Sequence, residues 1–249
     1  MKVGIMQPYF LPYIGYLQLM NLVDKWVIFD DIQFIDKGWV NRNRILHPDE
    51  EKEWQFITLP LSKRGQFDKI SALRVDHTAK WREQILGKLT MYKKKAPFYK
   101  DAVAFVNQCF SATHDDLSAF LEHTLRTTAR TFDMRCEFLT QSRAGFDTSQ
   151  VETPGQWALE ISKQLGADEY INPHGGVEIF DEAEYAANGV KLTFLKPTLT
   201  PYKQRREGFV PGLSIVDVMM WNSIDDIKAM LENDFSLKTK AELVEAGEK

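Results

Sequence analysis

Apolar runs and segments of helical periodicity alternate along the amino-terminal part of the chain. Residues 3–6 and 25–29 are short, largely apolar runs typical of buried strands. Between them, residues 13–23 carry apolar side chains at helical spacing and follow Pro12, which suits a helix start. A strand, a helix and a second strand in this order favour two parallel strands joined by a crossover. The chain is therefore predicted to open as an α/β protein.

Two β-rich segments and a helical region follow this unit. Residues 39–46 and 54–61 favour strands, and the charged residues 49–53 favour a turn, so the pair is predicted to form a hairpin. The pattern then becomes helical from about 80 to 133, which predicts a helical insert or subdomain in the middle third. Its three expected helices cover 81–92, 97–110 and 115–132.

The α/β alternation returns in the carboxyl-terminal half. Residues 153–156, Thr-Pro-Gly-Gln, combine a cap, an early proline and a glutamine placed for a capping box, which predicts a helix start. Further strands are expected at 137–141, 169–172 and 190–195, and further helices at 179–187 and 214–233. We therefore predict an α/β fold with a mostly parallel, Rossmann-like sheet, one domain over 1–237 and a frayed, charged tail over 238–249.

Composition narrows the class of protein. The 249 residues are 44% hydrophobic and 27% charged, which suits one globular domain, and a net charge of −4 gives no general affinity for nucleic acid. Cys109 and Cys136 are too few for a disulfide framework and fit a reducing compartment. Gln7, Pro8 and Pro12 interrupt the first apolar run, so no signal peptide is predicted, and no apolar stretch is long enough to span a membrane. We expect a cytoplasmic protein without membrane insertion, and the sequence leaves the oligomeric state open.

A tyrosine-rich helix start is the first candidate ligand site. Tyr13-Ile14-Gly15-Tyr16 follows the first strand where a helix begins, and free backbone N–H groups and the helix dipole favour an anion there. The arrangement resembles the His-x-Gly-His signature of the HUP nucleotide-binding superfamily, with tyrosine in place of both histidines, and this resemblance implies a HUP-type sheet. Tyr13 and Tyr16 can donate hydrogen bonds to a phosphate but add no positive charge. The alternative is that these tyrosines are core aromatics.

An acidic pair follows the second predicted strand. Asp30 and Asp31 lie where open α/β sheets collect their ligands, at the carboxyl end of a strand. Adjacent carboxylates point in different directions, so one can bind Mg²⁺ or a ribose while the other caps a turn. We take Asp30 as a candidate for proton transfer and Asp31 as a candidate for ligand binding.

A pair of arginines lies on the next predicted strand. In Asn41-Arg42-Asn43-Arg44 the strand period of two places both arginines on one face and both asparagines on the other. Two guanidinium groups on one side suit a phosphate or a carboxylate. All four residues are predicted to contribute to ligand binding, and a solvated arginine pair on the surface is the alternative.

A glycine-rich turn follows a later strand. In Asn172-Pro173-His174-Gly175-Gly176 the glycines let backbone amides approach a ligand, and histidine is the residue type best suited to proton transfer near neutral pH. A plain turn with an exposed histidine is the alternative. Lys203, in the basic loop 201–206, is a further candidate for pairing with a phosphate.

The remaining polar motifs have structural explanations. Ser214-Ile215-Val216-Asp217 has the S-x-x-D form in which two side chains satisfy the first amides of a helix. The histidines other than His174 have no metal-ligand spacing with one another, so no zinc site is predicted.

Five blocks of the sequence occur in a recognisable order. They are Met6-Gln7-Pro8-Tyr9-Phe10-Leu11-Pro12-Tyr13-Ile14-Gly15-Tyr16, Phe29-Asp30-Asp31, Trp39-Val40-Asn41-Arg42-Asn43-Arg44, Tyr170-Ile171-Asn172-Pro173 and Leu213-Ser214-Ile215-Val216-Asp217. Together they resemble the WbqC-like protein family over nearly the whole chain. The resemblance implies an association with bacterial surface-polysaccharide and O-antigen gene clusters.

The leading hypothesis is an enzyme of O-antigen biosynthesis that transfers an acyl or aminoacyl group, such as glycyl, to the amino sugar of a nucleotide sugar. ATP with Mg²⁺ would activate the group, or a charged tRNA would deliver it. His174 or Asp30 would move the proton. The predicted residues for binding substrate or phosphate are Gln7, Tyr13, Gly15, Tyr16, Asp31, Asn41, Arg42, Asn43, Arg44, Asn172, Gly175, Gly176 and Lys203.

Two other hypotheses belong to different classes. A non-catalytic protein that binds a nucleotide or nucleotide sugar within a glycan-assembly complex is favoured by the replacement of both signature histidines. RNA binding through the lysines at 93–95 and the basic loop 201–206 is weaker, because neither run has an aromatic stacking platform and the chain is not basic overall.

Overall fold

A six-stranded sheet runs through the centre of the protein, and a separate two-stranded hairpin flanks it. The computed structural model describes residues 1–204 and 206–247. Arg205 of the predicted basic loop and residues 248–249 of the predicted tail lie outside the described residues. The strands are β1 Lys2–Met6, β2 Lys25–Ile28, β3 Arg42–Leu46, β4 Trp54–Thr58, β5 Glu137–Thr140, β6 Glu169–Pro173, β7 Lys191–Pro197 and β8 Phe235–Lys238. The α-helices are α1 Ile14–Leu22, α2 Trp81–Leu89, α3 Tyr99–Cys109, α4 Leu117–Thr131, α5 Gln141–Ala144, α6 Gln156–Leu165, α7 Glu182–Ala187, α8 Ile215–Trp221, α9 Ile224–Asn233 and α10 Lys240–Glu245, and short 3₁₀ helices cover Ile70–Ala72, Thr90–Tyr92 and His174–Ile179.

The order of the strands is that of a Rossmann-like fold. The sheet runs β5-β2-β1-β6-β7-β8, with β1, β2, β5, β6 and β7 parallel and β8 antiparallel to β7. Within this sheet, counted along the chain, the order is 3-2-1-4-5-6, the arrangement of doubly wound sheets. The predicted α/β fold with a mostly parallel sheet is confirmed. The direction of winding reverses between β1 and β6, which opens a crevice at the carboxyl ends of these two strands.

Helices cover both faces of the sheet. On β2, Trp26 and Ile28 join one apolar cluster and Val27 joins the other, as the alternation of a strand requires. The first cluster includes side chains of α1, α8 and α9, and the second includes side chains of α6, α7 and α10. Helices α2, α3 and α4 appear close to the three ranges predicted for the middle third, and their apolar side chains extend the first cluster. Within the described residues, none of the helices combines the length and the apolar character needed to cross a membrane.

The structure differs from the predictions near the carboxyl terminus. The helical region expected over 214–233 is two helices, because Ser223 begins α9 with a capping box to Asp226. The expectation of a frayed tail is wrong for residues 238–245, since β8 pairs with β7 and α10 follows it with a second capping box, between Thr239 and Glu242. The short antiparallel edge strand and the cap hold this segment on the protein.

Gly4 in the middle of β1 makes room for a tryptophan on the neighbouring strand. It lies opposite Trp26, whose side chain is fully buried. A Cβ atom placed on Gly4 would lie 2.9 Å from the Cε3 and Cζ3 atoms of this indole. That distance is shorter than carbon–carbon contacts in a packed core allow, and the ring has no room to retreat.

We expect Gly4→Ala to lower the free energy of unfolding by about 1–3 kcal/mol, because the added methyl group overpacks the core. Gly87→Ala is the matched control, since Gly87 lies in α2 with no atom within 4 Å of the added Cβ. There the substitution should raise stability by about 0.5–1 kcal/mol through helix propensity. Urea unfolding followed by tryptophan fluorescence measures both, and the same sign for the two variants would contradict this explanation.

A buried carboxylate joins α8 to the helical region. Asp217 is fully buried and accepts hydrogen bonds from the hydroxyl groups of Tyr92, 2.5 Å from Oδ2, and Tyr202, 2.8 Å from Oδ1. The predicted capping box at this helix start is therefore half right. Ser214 caps α8 by accepting from the Val216 N–H, whereas Asp217 turns into the core. Burial raises the pKa of Asp217 to about 6, although the two tyrosines oppose this shift.

Because this pKa is higher in the folded protein than in the unfolded chain, the folded state binds the proton more tightly between about pH 4 and pH 6. The contribution of Asp217 to stability should therefore increase as the pH falls, by about 1 kcal/mol between pH 7.5 and pH 5. Other carboxyl groups contribute less to stability as the pH falls, because their pKa is lowered in the folded protein. Asp226 is one of them, since the hydrogen bond from Ser223 lowers its pKa. The measurement is thus the difference in unfolding free energy between the wild type and Asp217→Asn at both pH values, and a difference that does not change with pH counts against the assignment.

Candidate functional site

A large cavity occupies the crevice between the carboxyl ends of β1 and β6. Its volume is about 920 Å³. The loop after β1, the loop between β2 and β3, the start of α6 and the turn after β6 supply its walls. Most of the lining is apolar or aromatic. This is the position at which open α/β sheets bind ligands, and the volume is in the usual range of ligand pockets, roughly 300–1,000 Å³.

Aromatic side chains form two facing walls of the cavity. On one wall, Tyr9 stacks on Trp39 with ring centroids 5.9 Å apart and meets Tyr16 edge to face at 5.5 Å. On the other, Phe29 meets Trp157 at 5.7 Å, and Tyr170 meets a second phenylalanine, Phe180, at 5.5 Å. These stacked and edge-to-face contacts fix the rings against one another along the lining of the cavity.

The loop after β1 has a sharp bend at Leu11. This residue has a φ of 46°, in the left-handed region that leucine rarely adopts. Its carbonyl oxygen accepts hydrogen bonds from Asn43 Nδ2 at 2.5 Å and from Ser214 Oγ at 2.7 Å. The next residue, Pro12, accepts from the Ile215 N–H at 2.8 Å. The bend is thus tied to the hairpin and to α8, and Asn43, fully buried, is engaged by the backbone rather than facing the cavity.

Arg44 is the cation of the cavity. Its guanidinium carbon lies 5.1 Å from the ring centroid of Trp39 and 5.2 Å from that of Trp54, so the group is held between two indoles. Nη2 donates to the carbonyl of Gly212 at 3.3 Å, while Nε is buried and has no hydrogen-bond partner. Among the described lining residues, Arg44 alone carries a full charge at neutral pH. Since Nη2 alone has a described acceptor, terminal N–H groups of Arg44 remain for an anion in the cavity.

Arg42 shares the face of Arg44 but points elsewhere. The predicted alternation on this strand is confirmed, because Arg42 and Arg44 are half-buried while Asn43 between them is buried. Arg42 stacks on Phe56, 4.1 Å from the ring centroid, and donates from Nε to the carbonyl of Gly38 at 3.0 Å. Asn41 donates to the carbonyl of Leu59 at 2.9 Å. Neither side chain lines the cavity.

The helix start that resembles a nucleotide-binding signature forms part of the wall. Tyr13 and Tyr16 both line the cavity, as does Gln7. Tyr16 donates its hydroxyl hydrogen to the carbonyl of Gln7 at 3.0 Å. A Cβ atom on Gly15 would lie 2.6 Å from Cε2 of Tyr13, so this glycine lets the tyrosine ring fold onto the first turn of α1. The turn is therefore covered by an aromatic ring.

The turn after β6 closes the other side. Asn172 accepts from the Tyr170 hydroxyl and donates to the carbonyl of Pro173, each at 2.8 Å. A Cβ atom on Gly176 would lie 2.3 Å from Nδ2 of Asn172, which explains the glycine at this position. Asn172, Gly175 and Gly176 line the cavity. His174 is half-buried beside it, outside the lining, and its Nδ1 has no partner among the residues that the structure describes.

Three further predicted site residues lie away from the cavity. Asp30 is fully buried, and its two oxygens accept hydrogen bonds from the N–H of Ser142 at 2.9 Å and from its hydroxyl at 2.7 Å. The carboxylate thus anchors the start of α5 instead of facing a ligand. Asp31 forms an ion pair with Lys69 at 2.9 Å, and Lys203 is exposed.

The structure brings only part of the predicted set together. Gln7, Tyr13, Tyr16, Arg44, Asn172, Gly175 and Gly176 line one cavity, with Gly15 directly beneath Tyr13. Sequence reasoning missed most of the aromatic walls, namely Tyr9, Phe29, Trp39, Trp157, Tyr170 and Phe180. Several of these follow a strand or begin a helix, and that position was the available signal. Within the described residues, no group of three histidines, cysteines or carboxylates is placed to hold a metal ion.

The strand order and the cavity at its reversal point define an α/β protein of the Rossmann-like class. The model of the WbqC-like protein family matches residues 7–229, and the chain belongs to this family. It is also 27% identical over 227 residues to uncharacterized protein Rv1507c of Mycobacterium tuberculosis, a match that covers 88% of this chain and 92% of the relative. No solved structure gives a significant match.

We expect Asp30→Ala to lower the free energy of unfolding by about 1.5–3 kcal/mol, because the fully buried Asp30 carboxylate accepts two hydrogen bonds from Ser142 and a hydrogen bond to a charged group contributes about this much. Asp31→Ala is the neighbouring control. It breaks an ion pair whose side chains are both exposed, which contributes at most about 1 kcal/mol. Thermal and urea unfolding distinguish the two, and equal losses of stability would show that Asp30 has no special structural role.

Proposed function

We propose that the cavity between β1 and β6 binds a nucleotide sugar or a related phosphorylated small molecule, and that the protein acts in bacterial surface-polysaccharide assembly. One observation carries the proposal: a single arginine, with terminal N–H groups that have no described acceptor, lies in the otherwise uncharged described lining of a cavity at the ligand-binding edge of the sheet. The resemblance to the WbqC-like family implies this biological setting, and membership of the family supports it.

Arg44 suits the phosphate of such a ligand. The stacking of its guanidinium group between Trp39 and Trp54 restricts the side chain before any ligand arrives, so little conformational entropy is lost on binding. Only Nη2 has a described acceptor, the carbonyl of Gly212, so the remaining terminal N–H groups can form charge-assisted hydrogen bonds to phosphate oxygens. Arginine presents planar donors that match phosphate geometry, whereas lysine offers only a point charge.

The aromatic walls suit the rest of a nucleotide sugar. Ring faces of tyrosine and tryptophan accept a nucleobase by stacking, which contributes roughly 1–3 kcal/mol per base. The apolar C–H faces of a sugar ring pack on the same surfaces. The side chains of Gln7 and Asn172 add amide groups to the lining for hydroxyl or amine groups of the sugar.

The lining favours binding over catalysis. None of its described residues is an aspartate, glutamate, histidine, lysine or cysteine. Burial raises the pKa of Tyr9, Tyr13 and Tyr16, so these phenols stay protonated at neutral pH and can donate hydrogen bonds but cannot act as bases. A non-catalytic accessory protein of a glycan-assembly complex is thus the version of the proposal that the geometry supports best.

A transferase is the second candidate, supported by the position of His174. In this version the amine of the bound amino sugar attacks the carbonyl carbon of an acyl or aminoacyl donor. The new C–N bond replaces the bond to the donor's leaving group, which departs as a thiol, a tRNA hydroxyl or a phosphate ester, and His174 takes the proton that the amine releases. The histidine follows β6 directly, next to the glycines of the lining, and its Nδ1 is free of any described partner. Its ring must turn toward the cavity to act. ATP belongs to the proposed ligand class, but the described lining offers no carboxylate for Mg²⁺, and we derive no metal-dependent step.

Calorimetry with UDP- and dTDP-amino sugars tests the binding proposal. We expect Arg44→Ala to weaken the affinity by about tenfold or more, because a charge-assisted hydrogen bond contributes about 1.5–3 kcal/mol. Arg42→Ala is the matched control, since Arg42 lies on the same strand face and stacks on an aromatic ring but does not reach the cavity. Its affinity should stay within about twofold of the wild type once folding is verified by circular dichroism. Equal effects of both substitutions would contradict the role of Arg44.

A turnover assay distinguishes the accessory protein from the transferase. The purified protein is offered the amino-sugar nucleotide with glycine and ATP, with glycyl-tRNA, or with acyl thioesters. Formation of an amide supports the transferase if the substitution His174→Gln abolishes the product without loss of ligand binding. Binding without product from any donor supports the accessory protein.

A further inference from the structure

Exposed apolar side chains are concentrated around the mouth of the cavity. Six large hydrophobic residues are exposed in the described part of the chain, and three of them line this cavity: Ile35 at 59% exposure, Ile179 at 53% and Trp39 at 39%. A fourth, Phe67 at 75%, lies on the segment that pairs with the residues before Ile35, through the hydrogen bond from the Phe34 N–H to the Asp68 carbonyl at 2.9 Å. Grouped apolar side chains in water mark a surface that another molecule covers.

The charged group and the exposed apolar groups lie at different depths of the cavity. Its cation is recessed, because Arg44 is half-buried while Ile35 and Ile179 at the rim are more than half exposed. A nucleotide sugar alone would place polar hydroxyl groups against this rim, which gains little from apolar contact. A ligand with a buried anionic group and an apolar chain directed outward matches both the recessed arginine and the apolar rim.

We propose that the ligand is an amphiphile, with a phosphate at Arg44 and a hydrocarbon chain of alkyl or prenyl type that lies against Ile35, Trp39 and Ile179. This inference rests on the proposed function, since it uses the same cavity and the same arginine. It narrows the phosphorylated ligand to a lipid-linked one. Ile35, Trp39 and Ile179 line the same cavity as the aromatic walls, so the chain and the phosphate would occupy one site.

Chain length is the direct test. Calorimetry compares inorganic phosphate, hexyl phosphate and decyl phosphate, each below its micelle concentration. We expect the affinity to rise by roughly twofold per methylene group, less than full burial would give because the rim is open. Decanoate and decyl glucoside are the head-group arms. Decyl phosphate should bind at least about tenfold more tightly than the neutral glucoside, because a charge-assisted hydrogen bond is lost with the head group, and a preference for decanoate would assign the site to a fatty acid and overturn the phosphate head.

Rim variants locate the chain. Ile35→Asn and Ile179→Asn should each reduce the affinity for decyl phosphate by roughly fivefold, a partial loss of the burial that a covered isoleucine contributes. They should leave hexyl phosphate unchanged. Val244→Asn is the matched control, because Val244 is 57% exposed on α10 and lies outside the lining. Equal losses in all three variants would overturn the assignment of the chain to this rim.

The outcomes separate this inference from the proposed function. Equal affinities for hexyl and decyl phosphate, with UDP- or dTDP-sugar binding intact, overturn the amphiphile and leave the nucleotide-sugar proposal standing. Absence of binding to any phosphate ligand overturns both. Sedimentation measures the oligomeric state as a last test. A wild-type dimer that the substitution Ile35→Asn converts to a monomer would assign the rim to a second copy of the chain instead.

Discussion

The shape of the cavity depends on the carbonyl group of Leu11. A leucine with a positive φ costs of order 1–3 kcal/mol, and the hydrogen bonds from Asn43 and Ser214 to its carbonyl, at about 1 kcal/mol each, offset this strain. The bend brings the loop after β1, the hairpin and α8 to one point. Tyr9 precedes the bend and Arg44 follows Asn43 directly, so a single junction positions both the aromatic wall and the cation.

The state of Arg44 follows from this junction. The hairpin holds the guanidinium group against two indoles, and within the described residues no carboxylate forms an ion pair with it. A part-buried cation without a counter-charge is unfavourable unless its surroundings compensate, and cation–π contacts of about 0.5–2 kcal/mol each do so in part. Under the proposed function, the terminal N–H groups of Arg44 without a described acceptor would donate to an anionic ligand from a position that the fold already holds.

In the structure, the tyrosines at the helix start have a different role from the one that their sequence position suggests. Sequence comparison with a His-x-Gly-His signature treats Tyr13 and Tyr16 as substitutes for phosphate-binding histidines. In the folded protein, Tyr13 folds onto Gly15, and the hydroxyl of Tyr16 is bound to the carbonyl of Gln7. Both tyrosines lie at the predicted ligand-binding edge of the sheet, but they form part of an aromatic wall. The positive charge of the cavity comes instead from Arg44 in the hairpin. Under the proposed function, a ligand there would be held by stacking and by one arginine.

Periodicity and strand ends are local properties, and they were enough to predict the α/β class, most of the strands and helices, and candidate site loops after β1 and β6. They also predicted that Arg42 and Arg44 share one strand face. Long-range packing, in contrast, sets Arg44 in the cavity lining, turns Arg42 to the carbonyl of Gly38 and makes Asp30 an anchor for α5. Those outcomes depend on partners far along the chain, such as Gly212 for Arg44 and Ser142 for Asp30, and a local pattern contains no information about which distant group a side chain will meet.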